Sequence, residues 1–418
     1  MIPITRCIIT KLQSDINGSI AITFAGSLFL LLMVTGIAID SLRWQMAIHR
    51  TQSAIDSAVL AAGRALQSPE ATTSSVIETA RTFYTNNETA HLISNVVQFE
   101  IVEDSAKIRG SSEGSEINTT FLNLLGIDRL PVDVTSTAAL DVRDTEISMM
   151  LDITGSMGSN GKLESLQIAS KSLIDKVLND SLFENRTRAA LVPFSNFVNI
   201  DIQYFKSATN EDPPGTGSEF TCVAERDNLN RYTDEPPTSG GYFTHMGNYY
   251  TYDPSQICPT VTAIMPLSDN KEALYAHIDS FATRPSSTAG HIGTAWSWYV
   301  LSPKWRDFWP DDHKPAYAEQ DKVRKVAILM TDGDYNSQYS GQRSRAQAVE
   351  LCNNMKDEDI IIYAVGFDIN ETSTAALTLK ECATIPTSYH YYRAADGNAL
   401  KAAYDDIADK LFSLRLSE

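Results

Sequence analysis

With 418 residues the chain can fold into two or more cores, since a domain usually takes ~100–200 residues. Its apolar fraction of 43% and charged fraction of 21% are those of an ordinary globular protein. A formal net charge of −18 argues against a nucleic-acid footprint, which needs clustered Lys and Arg, and gives a surface that attracts cations.

Residues 1–19 read as a short cytoplasmic segment. From Ile20 to Ile39 runs IAITFAGSLFLLLMVTGIAI, 20 residues without a charge. At ~1.5 Å rise per residue such a helix matches the ~30 Å hydrocarbon core of a bilayer. The run exceeds the ~7–15 apolar residues of a signal peptide and flows directly into Asp40 and Arg43, so an uncleaved single-pass anchor is expected. Charge does not orient it, because Arg6 and Lys11 precede it while Arg43 and Arg50 follow. The cysteines do. Cys7 lies before the apolar run and Cys222, Cys258, Cys352 and Cys382 lie after it, two local pairs of the kind an oxidising compartment permits. Four unpaired buried thiols are the alternative; no Cys-x-x-Cys spacing points to zinc.

Past the anchor, Ile48, Ile55, Val59, Ala62 and Leu66 recur at helical spacing. They predict an amphipathic helix over Trp44–Leu66 that continues the membrane helix and ends before Pro69. This is a pilin-like layout, with a plain stalk as the alternative. The alternation of Val97, Phe99 and Ile101 and the β-branched stretch Val132–Leu140 predict strands. Residues 40–144 therefore read as a pilin-like helix with a small α+β domain, and residues 145–418 as a second domain.

That second domain opens on the apolar strand Ile147–Leu151, which runs into Asp152-Ile153-Thr154-Gly155-Ser156 and a helix over Lys162–Leu178. Strand, hydroxyl-rich turn and helix put these side chains at the carboxyl end of a parallel strand, where open α/β sheets bind ligands. A second strand, Arg188–Val192, runs parallel to the first because a helix joins them. Ile264–Leu267 returns as a short edge strand and Asn270–Phe281 climbs as a helix. The loop with Thr288 then lies at the same end, Gly290–Val300 descends, and Val326–Met330 rises to Asp332. Distant segments thus deliver Asp152, Thr154, Ser156, Thr288 and Asp332 to one rim. Two carboxylates and three hydroxyls form an all-oxygen set suited to Mg²⁺, with Mn²⁺ or Ca²⁺ as alternatives. An open coordination position could take an Asp or Glu of a partner. No general base accompanies the set, which argues against a hydrolase; His291 reads as structural. Asp334 reads as a turn residue, with tuning of the ion as the alternative.

The insertion at 201–263 holds Tyr232, Tyr242, Phe243, Tyr249, Tyr250 and Tyr252, either a recognition surface or a satellite core, which a Cys222–Cys258 bridge would shorten. Cys352, at a helix end, and Cys382, in the next helix, fall on neighbouring helices, and an amphipathic helix over Asp396–Leu414 closes the domain.

Asp152-x-Thr154-x-Ser156, Thr288 and Asp332 within MTDG resemble the metal-ion-dependent adhesion site of von Willebrand factor A domains. The resemblance implies a Rossmann-like, doubly wound, mostly parallel sheet with one antiparallel edge strand, and ligand binding through the ion. The usual middle Ser is Thr154 here, which keeps the hydroxyl and narrows the site; a degenerate site without an ion is the alternative. Gly18–Leu66 resembles the TadE/TadG-like segment of Tad (Flp) pilus assembly proteins, as does Phe121–Leu140. LVPFSNFVNI (Leu191–Ile200), the Cys222–Cys258 insertion, AGHIGTAWSW (Ala289–Trp298) and VLSP (Val300–Pro303) are similar to TadG-type members. Prepilin peptidase substrates usually carry Glu five residues after the cleavage-site Gly; counted from Gly18, that position is Thr23, so the anchor is expected to stay. The resemblance implies a non-enzymatic Tad pilus component in the inner membrane, its C-terminal domain in the periplasm or at the cell surface, meeting other Tad assembly proteins or minor pilins. The alternative is an inner-membrane docking protein in which the metal only stabilises the fold.

Overall fold

The computed structural model describes residues 16–66, 72–88, 90, 92–93, 96–102, 107–139, 144–178, 187–213, 221–237, 241–248, 258, 262–317, 323–411 and 415–417. Cys7 and most of the expected cytoplasmic segment fall outside them, as do Tyr249, Tyr250 and Tyr252. The described residues form two compact units, one of residues 16–139 with Arg415–Ser417, the other of residues 144–411.

In the first unit one helix, α1, runs from Ile16 to Leu66. Its first half exposes large apolar side chains such as Ile20, Phe24, Phe29 and Leu32, whereas its second half buries the stripe Ala47, Ala54, Ile55, Ala58, Val59, Ala62 and Leu66. That stripe is the 3.6-residue periodicity of an amphipathic helix. It packs on Val76, Ala80 and Tyr84 of α2 (Thr73–Asn87) and on Phe99, Ile108 and Ala138 of a sheet. The strands are β1 (Gln98–Val102), β2 (Lys107–Ser111), β3 (Glu116–Asn118), β4 (Arg129–Pro131) and β5 (Thr135–Ala139). β1, β2 and β5 form an antiparallel sheet, and β3 and β4 a separate ribbon. Of the stretch expected to be extended, Val132–Leu140, the described residues form a strand over Thr135–Ala139, and Leu140 lies outside the described residues.

One boundary differs from expectation. Arg415–Ser417, expected with the second domain, pairs antiparallel with β5, Arg415 opposite Ala139 and Ser417 opposite Thr137. Without it, β5 would present an unpaired edge of N–H and C=O groups.

The second unit is built on a six-stranded sheet of β6 (Asp144–Asp152), β7 (Thr187–Phe194), β10 (Met265–Ser268), β11 (Val323–Thr331), β12 (Ile361–Phe367) and β13 (Tyr391–Ala394), in the order β10-β7-β6-β11-β12-β13. All neighbours are parallel except the edge strand β10, which is antiparallel to β7. This is the doubly wound, mostly parallel fold expected. Successive side chains of a strand face opposite sides of a sheet, so each central strand feeds two cores. Ile147, Met149 and Leu151 join one with Leu166 and Leu173 of α3 (Lys162–Val177), Leu274 of α5 (Lys271–Asp279) and Tyr404 of α9 (Gly397–Leu411). Met150 joins the other with Trp296 of α6 (Gly290–Tyr299) and Leu351 of α7 (Ser344–Asp357). Burial on both faces is why these strands read as unbroken apolar runs. The insertion contributes β8 (Val198–Asn199), α4 (Ile202–Thr209) and β9 (Cys222–Val223). The structure joins Cys222 to Cys258, with Cα atoms 5.7 Å apart, and Cys352 to Cys382, with Cα atoms 5.0 Å apart. Cys382 ends α8 (Thr374–Cys382), and Cys352 lies within α7 rather than at its end.

At the amino end of the sheet three buried charges meet. Glu146 pairs with Arg188 through one carboxylate oxygen and with Lys325 Nζ at 2.9 Å through the other. Lys325 Nζ also donates to the carbonyls of Leu301 (2.5 Å) and Ala316 (3.0 Å). Deleting one member of a buried ion network strands its partners, at a cost of about 3–5 kcal/mol. Glu146→Ala should therefore lower the unfolding free energy of this unit by that amount, seen as a lower urea midpoint by tryptophan fluorescence, since four of the five tryptophans (Trp296, Trp298, Trp305 and Trp309) lie within it. An unchanged midpoint would mean that Arg188 and Lys325 rehydrate freely.

Candidate metal centre

The site begins with the register of two parallel strands. Leu329 lies beside Met150, which carries Thr331 alongside Asp152 as both strands end. Asp152 is fully buried, and hydrogen bonds reach both its carboxylate oxygens. Oδ1 accepts from Thr154 N at 2.9 Å and Thr154 Oγ1 at 2.6 Å, Oδ2 from Thr331 Oγ1 at 2.6 Å and, more weakly, from Asp332 N at 3.4 Å. From Thr154 a chain of oxygens continues: Thr154 Oγ1 lies 2.9 Å from Ser156 Oγ, and Ser156 Oγ donates to Asp332 Oδ1 at 2.5 Å. Asp152, Thr154, Ser156 and Asp332 are thus brought together, although 176 positions separate the last two.

Thr288 reaches the same rim from the loop ahead of α6. Ala289 N donates to Ser195 O at 3.0 Å, tying that loop to the end of β7. Asn336 grips Thr288 from both sides: its Oδ1 accepts from Thr288 N at 2.9 Å and its N–H donates to Thr288 O at 3.0 Å. A methyl group on Gly333 would stand 3.9 Å from Thr288 Oγ1, so the hydroxyl hangs over the turn that carries Asp332. Ser156 is exposed while Asp152, Thr154, Thr288 and Asp332 are buried, so the set opens to solvent on the Ser156 side.

Two neighbours escaped the sequence reading. Thr331 braces Asp152 as described. Lys162, in the first turn of α3, places Nζ 3.1 Å from Asp332 Oδ2 and 3.0 Å from Asp368 Oδ2. Burial opposes its charge, but the bonds to Asp368 and Asp332 outweigh that and hold its pKa above the ordinary lysine value. The signal available in the sequence was the spacing: a lysine six residues after Ser156, opening the helix.

The other residues singled out in the sequence, where described, are engaged in packing and internal bonds. His291 is buried, with Nδ1 2.7 Å from Ser344 Oγ and Nε2 3.3 Å from Glu225 Oε2. Ser, His and Glu in a row invite comparison with a catalytic triad, but all three are buried, with no face for a substrate. Asp334 Oδ1 accepts from Ala375 N at 2.5 Å, serving the start of α8. In the insertion, Phe243 is buried and stacks on Trp296 with centroids 4.9 Å apart, and Tyr232 and Tyr242 are half-buried. The Arg226 guanidinium lies 4.6 Å from the Phe243 ring centroid and 5.0 Å from that of Tyr299. The described part of the insertion therefore packs, and does so as part of the core on the α6 and α7 face rather than as a separate satellite.

Among the described residues no group of three or more His, Cys, Asp or Glu is placed to hold a metal; a cation here would rest on two carboxylates plus hydroxyls. The oxygen spacing fits that use. Adjacent ligands of an octahedral Mg²⁺ at ~2.0–2.1 Å stand about 2.9 Å apart, and Thr154 Oγ1 and Ser156 Oγ are 2.9 Å apart.

Comparison with known proteins matches the two halves separately. Residues 18–65 match the family "Putative Flp pilus-assembly TadE/G-like" and residues 255–406 match "von Willebrand factor type A domain". This is the make-up of a TadG-type protein. Thr288 and Asp332 fall inside the second match, and Asp152, Thr154 and Ser156 before it. A stretch of 104 residues is 31% identical to the collagen alpha-1(XII) chain of Notophthalmus viridescens, covering 24% of this chain and 10% of that one. Among solved structures, this chain is similar to proximal thread matrix protein 1 from the mussel byssus (15% identity, 67% of this chain and 49% of that chain, TM-score 0.36). It is also similar to the vWF domain of the type V pili tip protein Mfa5 from Porphyromonas gingivalis (13% identity, 64% and 95%, TM-score 0.40). The chain thus spans about half of the first of these and a tenth of the collagen.

Burial, and after it the charge of Asp332, push the Asp152 carboxyl from 3.8 up to about 6. A raised value means that the folded chain keeps a proton which the unfolded chain has released, so stability is present below pH 3.8 and is lost as pH rises through about 6. In chelator, the difference in unfolding free energy between wild type and Asp152→Asn should fall by about 3 kcal/mol across that window. A flat difference would show that Asp152 titrates normally.

Proposed function

We propose that this TadG-type chain is a non-enzymatic, membrane-anchored component of a Tad/Flp pilus system that binds a partner or surface through a divalent cation. The observation that carries the reading is the continuous chain of oxygens from Asp152 through Thr154 and Ser156 to Asp332; the Thr288 hydroxyl lies near Gly333, the residue that follows Asp332. Asp152, Thr154, Ser156, Thr288 and Asp332 would hold the ion. Mg²⁺ suits the hard oxygen set and the 2.9 Å hydroxyl spacing, with Mn²⁺ and Ca²⁺ as alternatives. When bound, the ion supplies a positive centre for a carboxylate on a partner, here another Tad assembly protein or a minor pilin.

The chain's own residues do the positioning. Asp152 orients the Thr154 hydroxyl, Thr331 holds Asp152, Lys162 steers Asp332, and Asn336 fixes the Thr288 backbone. The apolar run within α1, long and exposed enough to cross a membrane, supports a single-pass anchor. Two disulfides in the second unit support an oxidising location for that unit, hence an inner-membrane protein whose head faces the periplasm or the cell surface.

The test is linkage. In detergent-solubilised full chain, Mg²⁺ at 100-fold above its dissociation constant should stabilise the second unit by about 2.7 kcal/mol. Asp152→Ala and Ser156→Ala should abolish that gain. Cells carrying either variant should lose piliation or attachment while the protein stays in the membrane fraction. Attachment that survives loss of metal binding would leave the cation as a fold staple and the protein as a docking component.

A further inference from the structure

The loop between β3 and β4 is fastened to α1 at the end of its apolar run. Asp40, the first charge after that run, accepts hydrogen bonds from three consecutive backbone N–H groups: Thr120 at 3.0 Å, Phe121 at 2.6 Å and Leu122 at 2.8 Å. Arg43 Nη1 donates to Thr120 Oγ1 at 2.5 Å, and one turn on Trp44 Nε1 donates to Pro131 O at 2.7 Å. On the other side of Asp40 the Phe121 ring lies over Gly36 so closely that a Cβ there would come within 2.5 Å of it. Gly36 is four residues inside the apolar run, or ~6 Å along the helix. The loop therefore reaches about one helical turn past the first charge.

What it presents at that level is apolar. Leu124, Leu125 and Ile127 are 72%, 54% and 45% exposed, with Asn123 among them and the exposed Thr120 and Asp128 at the ends of the loop. The loop also satisfies much of its own backbone: Thr119 N bonds to Asp128 O, Leu124 N to Phe121 O, Gly126 N to Asn123 O, and Ile127 N to Leu122 O, all at 2.9–3.1 Å. Thr119 Oγ1 donates to Ile127 O at 2.5 Å. Internally bonded backbone is what an apolar medium demands, because an unmet N–H or C=O there costs several kcal/mol. In water, three large apolar side chains on one short loop would gain nothing.

Resting on the membrane-anchor reading, we propose that the loop Phe121–Ile127 is a second membrane contact, seating Leu124, Leu125 and Ile127 in the bilayer interface beside α1. Interfacial apolar side chains sit about 5–10 Å into the headgroup–acyl boundary, the level that Gly36 and Asp40 bracket. The occupant is lipid because the patch is continuous with the exposed, lipid-length run of α1 and is clamped to the helix rather than held out from it. The loop would fix the tilt and height of the first unit on the bilayer.

The experiment uses the full chain with Cys7→Ser and Leu124→Cys, labelled with an environment-sensitive fluorophore and reconstituted in nanodiscs of phosphatidylethanolamine and phosphatidylglycerol. Leu125→Cys serves as a second site and Asp133→Cys as a solvent control. The expected result is blue-shifted emission at 124 and 125, with about twofold quenching by lipid spin-labelled near the top of the acyl chain, the depth of an interfacial side chain, and no quenching at 133. Water-like emission at both sites, with the chain still resistant to carbonate extraction, overturns the proposal and leaves the anchor intact. Blue-shifted emission that lipid spin labels do not quench also overturns it, in favour of protein contact. A chain that carbonate extracts overturns the anchor reading itself.

Discussion

Asp152 is a carboxylate withdrawn from water at the point where two central strands stop, and the candidate site is organised by the donors gathered around it. A carboxylate buried without partners costs several kcal/mol, so the sequence supplies them locally and remotely. The Thr154 backbone and hydroxyl curl back to one oxygen, and Thr331 reaches across from β11 to the other. The same contacts aim the remaining oxygens. With Thr154 Oγ1 committed to Asp152, its lone pairs face Ser156, and Ser156 in turn meets Asp332. Strand register sets Asp152 beside Thr331, and the turn after β6 carries Thr154 and Ser156 from there, which is how a site drawn from widely separated segments can be preorganised.

A second layer holds the loop that follows Asp332. Glu225, from the insertion, accepts from Tyr339 N at 2.6 Å and Ser340 N at 2.8 Å, while Arg231 donates to Ser340 Oγ at 2.8 Å and Tyr339 stacks on Phe197 with centroids 4.6 Å apart. Burial works against the charge of Glu225, but His291 and the Tyr339 and Ser340 backbone outweigh it and hold the carboxyl down at about 2. The insertion is therefore part of the site's scaffold. Its aromatic and glycine content, which reads equally as a recognition surface, is in the described residues used to pack Phe243 and Arg226 against α6.

Much of this arrangement was legible because a parallel sheet with helices between its strands leaves little topological freedom. Counting strands up and helices down placed Thr288 and Asp332 at the end where Asp152 lies, and the antiparallel edge strand fell out of the same count. What escaped lacked a periodic signal. α2 carries buried residues at Val76, Ala80 and Tyr84, a helical stripe, and begins with a Thr72–Ser75 capping box, but its mixed polar composition hides the pattern. β2 contains Gly110, where a Cβ would stand 2.6 Å from Ile55; glycine is normally a strand-weakening residue, here required by the approach of α1. The return of Arg415–Ser417 to β5 depends on an edge that no local sequence feature announces. Lys162 stood in the sequence only as the start of a helix; the packing places it between Asp332 and Asp368.

Lys162 also bears on why a divalent ion, rather than a fixed side chain, would complete the site on the proposed reading. Asp368 is half exposed and its charge is screened by water. The groups withdrawn from solvent are Asp152, Asp332 and most of Lys162, a balance of one negative charge. A monovalent cation would neutralise that balance and leave nothing to attract a partner. A divalent one would reverse it, turning a buried acidic pocket into a positive centre open on the Ser156 side. The hydroxyls of Thr154, Ser156 and Thr288 matter for the same reason: as neutral ligands they hold an ion without cancelling its charge. Replacing Lys162 by a neutral residue would deepen the negative balance, so it would strengthen cation binding while weakening the attraction of the loaded site for an acidic partner.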